Sequence, residues 1–480
     1  MSDSTAQETA WEGQQQIRSS DSALPLVTLY CVHGIGVQKD GQTAAEVRQA
    51  VHLGLTTLGG MHRPSAAGTP AGVPDAPEDV VQVAGQHLRV RYRDGWWDER
   101  AVVPSAWRVL GWMFRVAPFA LWGTATLWMT DLVAIAEAAP ERPGRQGDFP
   151  VPMLAFVGLT LALIGGPAVM LVALPLLTML LLLRPTRPWA QRLLQRYVGD
   201  AWHYRSDQLD ENVIGPMCAD VAAERNAAAT LVMVGHSQGA EIARRVALIE
   251  PVYACVSVGS GEAQLGMLRT LRRSRLLPYL LWPYLVVAPA LITWCFTGSV
   301  RLVAPVFTAF MELLTQPAAT TSEVVAVLQR ASDALFAAIL PSTLPLLTTG
   351  AVFILMGMAL AKVARHPADA LQQPDGRAIV VKSLIDPVCF GTSNEHAVVR
   401  YVPLPQKRHW LRQHLRYFTS PITGVAILET VFGTKELGVT PTVPKLGKRA
   451  TLLGAIAAVT AAAVTLIVGF NELQLLQRLW

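Results

Sequence analysis

Charge is what this 480-residue chain has little of: 16% of its residues are Asp, Glu, Lys or Arg, against 51% hydrophobic. A soluble enzyme of this length carries nearer a quarter charged residues, about 25%. The deficit, with a mean hydropathy of +0.34, points to a membrane protein. Cysteine is sparse too. Cys31, Cys218, Cys255, Cys295 and Cys389 are scattered and form no C-x-x-C pair, so neither a disulfide framework nor a zinc site is expected. Buried thiols are the expectation. No P-loop, dinucleotide fingerprint or basic patch with interleaved aromatics occurs, so no cofactor, metal or nucleic-acid partner is expected. Residues 1–23, rich in Ser, Gln and Asp, lack an apolar core; they read as a disordered tail left in the cytoplasm rather than a secretory signal.

Long apolar runs, by contrast, are present. A helix needs roughly 20 apolar residues to cross a hydrocarbon core, and four or five stretches qualify. Residues 151–183 carry no charge, and 450–470 are nearly as clean. Residues 276–300 and 336–361 contain prolines, which spanning helices tolerate when neighbours satisfy the freed carbonyls. Residues 107–129 are interrupted by Arg115, so a surface helix is the alternative there. The run 302–311 is short and is expected at the interface. Arg184, Arg187, Arg192 and Arg196 follow one span, and Arg269, Arg272, Arg273 and Arg275 precede another. Lys362, Arg365, Lys445, Lys448 and Arg449 flank the rest. Positive flanks stay inside, so the polar blocks face the cytoplasm and the spans fall as two hairpins and a single. Every polar block then lies on one side, where the blocks can assemble together.

Read in order, those blocks alternate strand and helix signals. Strands are expected at 25–32, 86–93, 230–235, 252–260, 377–385 and 397–404, and helices at 40–58, within 189–225, at 240–249 and at 422–433. That alternation specifies an α/β fold with a mostly parallel sheet, whose ligands sit at the strands' carboxyl ends. Two strand ends stand out. The first runs into His33-Gly34-Ile35-Gly36, and the later one into Gly235-His236-Ser237-Gln238-Gly239. A G-x-S-x-G between strand and helix is the nucleophile-elbow pattern, with Ser237 at the helix N-terminus. The N–H of Gln238 and the helix dipole can stabilise an oxyanion there. A second donor is expected from the backbone N–H of Ile35 or Gly36. His33 and His236 are expected as supporting groups around the site, His33 through hydrogen bonding. The Trp-Trp-Asp-Glu-Arg stretch at 96–100 is expected to anchor at the lipid surface, with capping of the site entrance as the alternative.

With these motifs in place, the chain resembles the α/β-hydrolase superfamily on its lipase and esterase side, over roughly half its length by segment count. The resemblance implies a hydrolase core in three pieces, 24–104, 185–275 and 363–448. Transmembrane hairpins would be inserted at 105–184 and 276–362, with a C-terminal transmembrane helix in 449–480. It also implies an acid and then a histidine after Ser237. Asp386, where a strand ends, fits the acid, with Glu262 as the rival. His409 and His414 both fall where the family's histidine loop lies. His414 is preferred because "HLRYF" is similar to the H-x-x-Y-W of some lipase-like members, with Phe418 in place of the tryptophan. His396 precedes its strand and would sit at the wrong end of the sheet.

The function so implied is a multi-pass membrane serine hydrolase cleaving a lipid or acyl ester, its hydrolase domain on the cytoplasmic side of a bacterial inner membrane. The alternatives are a catalytically silent hydrolase-fold scaffold or sensor, and a transporter component. The clearest spans carry no carboxylate that would mark an ion path, which argues against the last. Substrate identity and oligomeric state are not encoded in any feature of the sequence.

Overall fold

The structure, a computed structural model, describes residues 21–34, 39–65, 76–97, 104–116, 174–194, 202, 209–227, 230–266, 277–315, 320–364, 377–383, 386–389, 398–402, 410–433 and 437. The expected span 450–470, and most of the expected hairpin 105–184, lie outside the described residues.

The framework is a mixed, mostly parallel eight-stranded sheet with helices on both faces, an α/β architecture. Its strands are β1 (Leu26–Val32), β2 (Met61–Pro64), β3 (Glu78–Val83), β4 (Gln86–Asp94), β5 (Thr230–His236), β6 (Ala254–Val258), β7 (Arg377–Lys382) and β8 (Val398–Tyr401). They lie in the order β2-β3-β4-β1-β5-β6-β7-β8. From β4 to β8 every neighbouring pair is parallel. The central strands are apolar almost throughout because both of their faces are covered. β5, Thr-Leu-Val-Met-Val-Gly-His, is buried at every position after the first.

The sheet is mostly parallel, as expected, and its antiparallel part is confined to one edge. β2 and β3 join its edge antiparallel to each other and to β4. Neither gives a strand signal in the sequence: β2 is exposed at all of its positions, and β3 opens with two acidic residues. Those acids are tolerated because each is paired. Asp79 accepts from Arg48 at 2.6 Å, and Glu78 lies 2.7 Å from Arg91. Residues 21–23, expected in the disordered tail, are ordered, and residues 1–20 lie outside the described residues. Asp21 is buried and paired with Arg63, which ties the chain to β2.

Alternation sends successive side chains of each strand to opposite faces. Val27, Leu29, Val232, Val234 and Val256 pack with α1 (Gln42–Thr57) and α7 (Pro421–Phe432). Tyr30, Val32, Leu231, Met233 and Cys255 pack on the other face, against α3 (Gly215–Ala227) and α4 (Gln238–Ile249). The helix after β1 therefore covers one face and the helix after β5 the other, although the two strands are neighbours. This is a topological switch point, and the crevice it opens lies at the carboxyl ends of β1 and β5.

Two helical insertions leave the sheet from that same carboxyl edge. After β4, helical residues 106–116 and 174–182 pack with α2 (Arg187–Leu194) through Val109, Leu110, Leu174, Leu181 and Leu194. After β6 come α5 (Leu277–Thr315) and α6 (Thr321–Ala364), which pack side by side as a hairpin. At 1.5 Å per residue their 39 and 44 residues make rods of about 58 and about 66 Å. The run 302–311, expected as a separate interfacial segment, is instead the continuation of α5. Among the described residues, Thr297–Thr315 is the stretch long and apolar enough to cross a membrane.

Candidate active site

The turn from β5 into α4 is built around Ser237, whose φ of 56° and ψ of −122° are unusual for a residue with a side chain. Such strain persists only where the surroundings over-determine it. Here the Ser237 N–H donates to Val258 O at 2.9 Å, and Ser237 O accepts from Ala240 N at 3.2 Å. Gly239 makes the turn possible. A Cβ there would stand 2.1 Å from His33 O and 2.4 Å from Val32 O, so only glycine lets α4 approach the end of β1. The helix accordingly starts directly beside the serine, its N-terminus turned to the crevice.

Three segments distant in sequence meet at this turn. His414 Nε2 lies 2.9 Å from Ser237 Oγ, and His414 Nδ1 lies 2.7 Å from Asp386 Oδ2. Asp386 stands just beyond the end of β7, where its Oδ1 accepts from Val388 N at 3.0 Å. His414 is carried by a 3-10 helix, Trp410–Thr419, that follows β8 and precedes α7. Burial pushes the Asp386 carboxyl up, but the hydrogen bond and charge of His414, with further bonds from Val388 and Tyr417, hold it below the usual carboxylate value. A carboxylate held ionised against an imidazole that faces a hydroxyl is the arrangement by which a serine is made nucleophilic.

The surrounding groups divide from the expectations at several points. His236 does support the site: its Nε2 donates to His414 O at 2.9 Å, and its ring stacks 5.0 Å from that of His414. Burial, then the neighbouring His414, lowers it to about 3, so it stays neutral. Among the described residues, neither ring nitrogen of His33 has a hydrogen-bond partner, and the ring stacks on those of Trp96 and Trp97, 4.8 Å from each. Desolvation there lowers it to about 4. Trp97 is 1% exposed and donates from Nε1 to His33 O at 3.0 Å, so it is a core residue under the β1 turn rather than a lipid anchor.

Glu262, the rival acid, belongs to a different cluster. Its Oε1 lies 3.0 Å from Arg244 Nε, a group already donating to Glu241 at 2.7 Å, and neither Glu262 oxygen accepts a well-aligned hydrogen bond. Burial pushes its carboxyl up, against the pull of Arg244. Asp386, not Glu262, is the carboxylate that faces His414. Gln238 is the first residue of α4 and is buried. Ile35, Gly36 and His409 lie outside the described residues. Among the described residues no cluster of His, Cys, Asp and Glu has the make-up of a metal site. A cavity of about 500 Å³ between α1 and β4, lined by Arg48, His52 and Tyr92 among others, does not include the three residues above.

Tyr417 is the functional neighbour that sequence reasoning passed over. Its hydroxyl donates to Asp386 Oδ2 at 2.9 Å, the oxygen that also faces His414. The signal was present in the H-x-x-Y spacing, read only as a family mark. Compared with protein-family models, with curated proteins and with solved structures, the chain matches none.

Proposed function

We propose that the protein is a membrane-embedded serine hydrolase of the α/β-hydrolase type that cleaves a lipid or acyl ester. The observation that carries this reading is the pair of contacts through His414, 2.9 Å to Ser237 Oγ across 177 residues of sequence and 2.7 Å to Asp386 Oδ2 across 28. A chance G-x-S-x-G has no reason to be met by a histidine whose far nitrogen is already held by a buried carboxylate.

In this reaction His414 Nε2 takes the proton from Ser237 as Oγ attacks the ester carbonyl, and Asp386 holds the imidazole in the tautomer that leaves Nε2 free to accept. The carbonyl oxygen becomes an oxyanion, stabilised by the Gln238 N–H at the start of α4 and by the helix dipole. A backbone N–H of Ile35 or Gly36 is proposed as the second donor. As the tetrahedral intermediate collapses, the C–O bond to the leaving alcohol breaks and the alcohol takes the proton from His414. Water, deprotonated by the same imidazole, then cleaves the seryl ester and releases the carboxylic acid.

The lipid half of the proposal rests on the insertions. Both leave the sheet at the carboxyl edge that carries Ser237, and α5 exposes Val303, Val306, Phe307, Phe310, Met311 and Leu314. Apolar side chains in such density on an outer surface mark an apolar neighbour, here taken to be the bilayer. The reading places the hydrolase domain on the cytoplasmic side of a multi-pass protein, in a bacterial inner membrane.

A fluorophosphonate probe, applied to membranes holding the full chain, tests it. The wild type should be labelled and Ser237→Ala should not. Turnover of an ester presented in vesicles should fall by about 10⁴-fold or more in Ser237→Ala and by about 10⁴-fold in Asp386→Asn. Equal hydrolysis by wild type and Ser237→Ala would remove the serine from the chemistry.

A further inference from the structure

Resting on the hydrolase reading, we propose that Tyr417 is a positioning residue: its hydroxyl shares Asp386 Oδ2 with His414 and so sets how strongly the acid holds the imidazole's proton. The geometry follows from the helix type. A 3-10 helix has about three residues per turn, so positions three apart stand on the same face. His414 and Tyr417 are three apart on the 3-10 helix Trp410–Thr419, and both reach the one carboxylate oxygen, at 2.7 and 2.9 Å. An α-helical turn would rotate them apart by about 60°.

Everything around Tyr417 fixes it there. It is completely buried. Its ring fills the space beside Gly259, at φ 54°, where a Cβ would stand 2.5 Å from Cε2. Its carbonyl accepts from Ser420 N at 3.0 Å and from Thr423 Oγ1 at 2.7 Å, tying it to the first turn of α7. The ring meets that of His414 edge-on, 6.2 Å between centroids. The phenolic proton goes to Asp386, so the Cys389 thiol 3.3 Å away stands beside the phenol as a neutral group; burial pushes that thiol up to about 12.

Among the described residues, the other ionisable groups around the pair leave Oδ2 of Asp386 to these two donors. From β5, His236 faces His414 and is neutral; from the end of β1, His33 is neutral as well. Lys382, at the end of β7, acts on Cys389. On α1, Arg48 and His52 are engaged with Asp79 and Gln42 bonds to Glu46; on α7, Glu429 is engaged with Arg400. Asp386 therefore distributes its Oδ2 charge between one imidazole and one phenol. Losing the phenol concentrates that charge on the imidazole, which then keeps its proton to higher pH.

The test is the rate of fluorophosphonate labelling of the full chain in membranes as a function of pH. Tyr417→Phe should slow labelling about tenfold and move the acid limb of the profile up by about half a pH unit. Replacing Tyr417 with 3-fluorotyrosine, which keeps the ring and makes the hydroxyl a stronger donor, should move the limb down. A far-downfield proton resonance from His414 Nδ1–H should shift in opposite directions in the two variants, a readout that packing alone does not move. Labelled protein whose acid limbs superimpose in wild type, Tyr417→Phe and the fluorinated form would overturn the role of Tyr417 and leave the hydrolase reading intact. A wild type with no Ser237-dependent labelling would overturn both.

Discussion

β5 buries every residue after its first, whereas 11% of Thr297–Thr315 in α5 is buried. The sheet and the α5–α6 hairpin thus treat side chains in opposite ways. Around the sheet, charged groups are taken inside and matched: Arg400 with Glu429 at 2.8 Å, Arg244 with Glu241 at 2.7 Å, Arg91 with Glu78 at 2.7 Å. Along the hairpin, apolar groups are left outside, Phe307 at 61% and Phe336 at 71% exposure among them. Desolvated charges survive only with partners, and a sheet in water must hide its apolar face. A hairpin that shows its apolar face has no such requirement if its surroundings are hydrocarbon. The difference is what the proposal of two solvents, water for the sheet and hydrocarbon for the hairpin, rests on, and each half of it can be challenged separately.

The largest effect is expected at the sheet, from Gly239→Ala. The new methyl would press on His33 O and Val32 O, both backbone atoms of β1 that cannot rotate away. Overpacking against backbone should cost about 3 kcal/mol or more and displace Ser237 from His414. Urea denaturation and probe labelling should both register it, the labelling being lost even where the protein remains folded. Normal labelling of Gly239→Ala would mean that α4 and β1 are not in the contact described.

How much of this was legible in the sequence differs between the same two regions. The elbow was readable because its chemistry is local: β-branched strand, glycines, serine and helix formers occur in one run from Thr230 to Ile249. Asp386 and His414 were reachable through chain order and strand ends, since β7 and β8 carry strand patterns of their own. β2 and β3 were not, because their acids and exposed positions make sense only beside Arg48 and Arg91. Nor was the role of Trp97: two adjacent tryptophans read as a surface anchor until β1 and β4 are placed side by side, with His33 between the rings. In the hairpin, composition told where apolar runs begin. It did not tell that 302–311 continues α5, because helix continuity there depends on packing against α6 rather than on local pattern.

A smaller effect should separate the solvents directly. Val306 and Phe307 lie near the middle of Thr297–Thr315 and are exposed by 53% and 61%. In hydrocarbon, a lysine at either position costs about 2.5–3.5 kcal/mol. In water the same change is close to neutral, as it should be for Met61→Lys on the exposed edge strand β2. Val306→Lys and Phe307→Lys should therefore reduce the share of protein retained in carbonate-washed membranes, with Met61→Lys unaffected. Equal retention of all three would return the hairpin to water and the exposed apolar stripe to some other partner.

The smallest effect concerns acid. His33 and His236 are lowered to about 4 and about 3, both by desolvation first. Their folded values lie below the unfolded one, so the unfolded chain takes up protons first as pH falls through about 6.5. Stability tied to these two groups is complete above that pH and is lost progressively toward their folded values. Between pH 7.5 and 5.5 the loss should be about 1.4 kcal/mol for each. Asp386 contributes nothing in this window, because its folded value is depressed and its stabilising effect fades only at lower pH. Asp94 and Glu262, by contrast, are raised by burial to about 6 and about 7, so they take up protons in the folded chain and oppose the histidines here. Both histidines sit at the sheet's carboxyl edge, not on α5 or α6. Measured as the difference between wild type and His33→Phe, in which the opposing carboxyl groups cancel, hydrogen exchange corrected for its intrinsic pH dependence should thus show β1, β5 and α4 of the wild type losing more protection from pH 7.5 to 5.5, while α5 and α6 do not differ. Protection lost equally in sheet and hairpin would mean that the two unfold as one unit, and that the boundary between a water-folded part and a lipid-folded part is drawn in the wrong place.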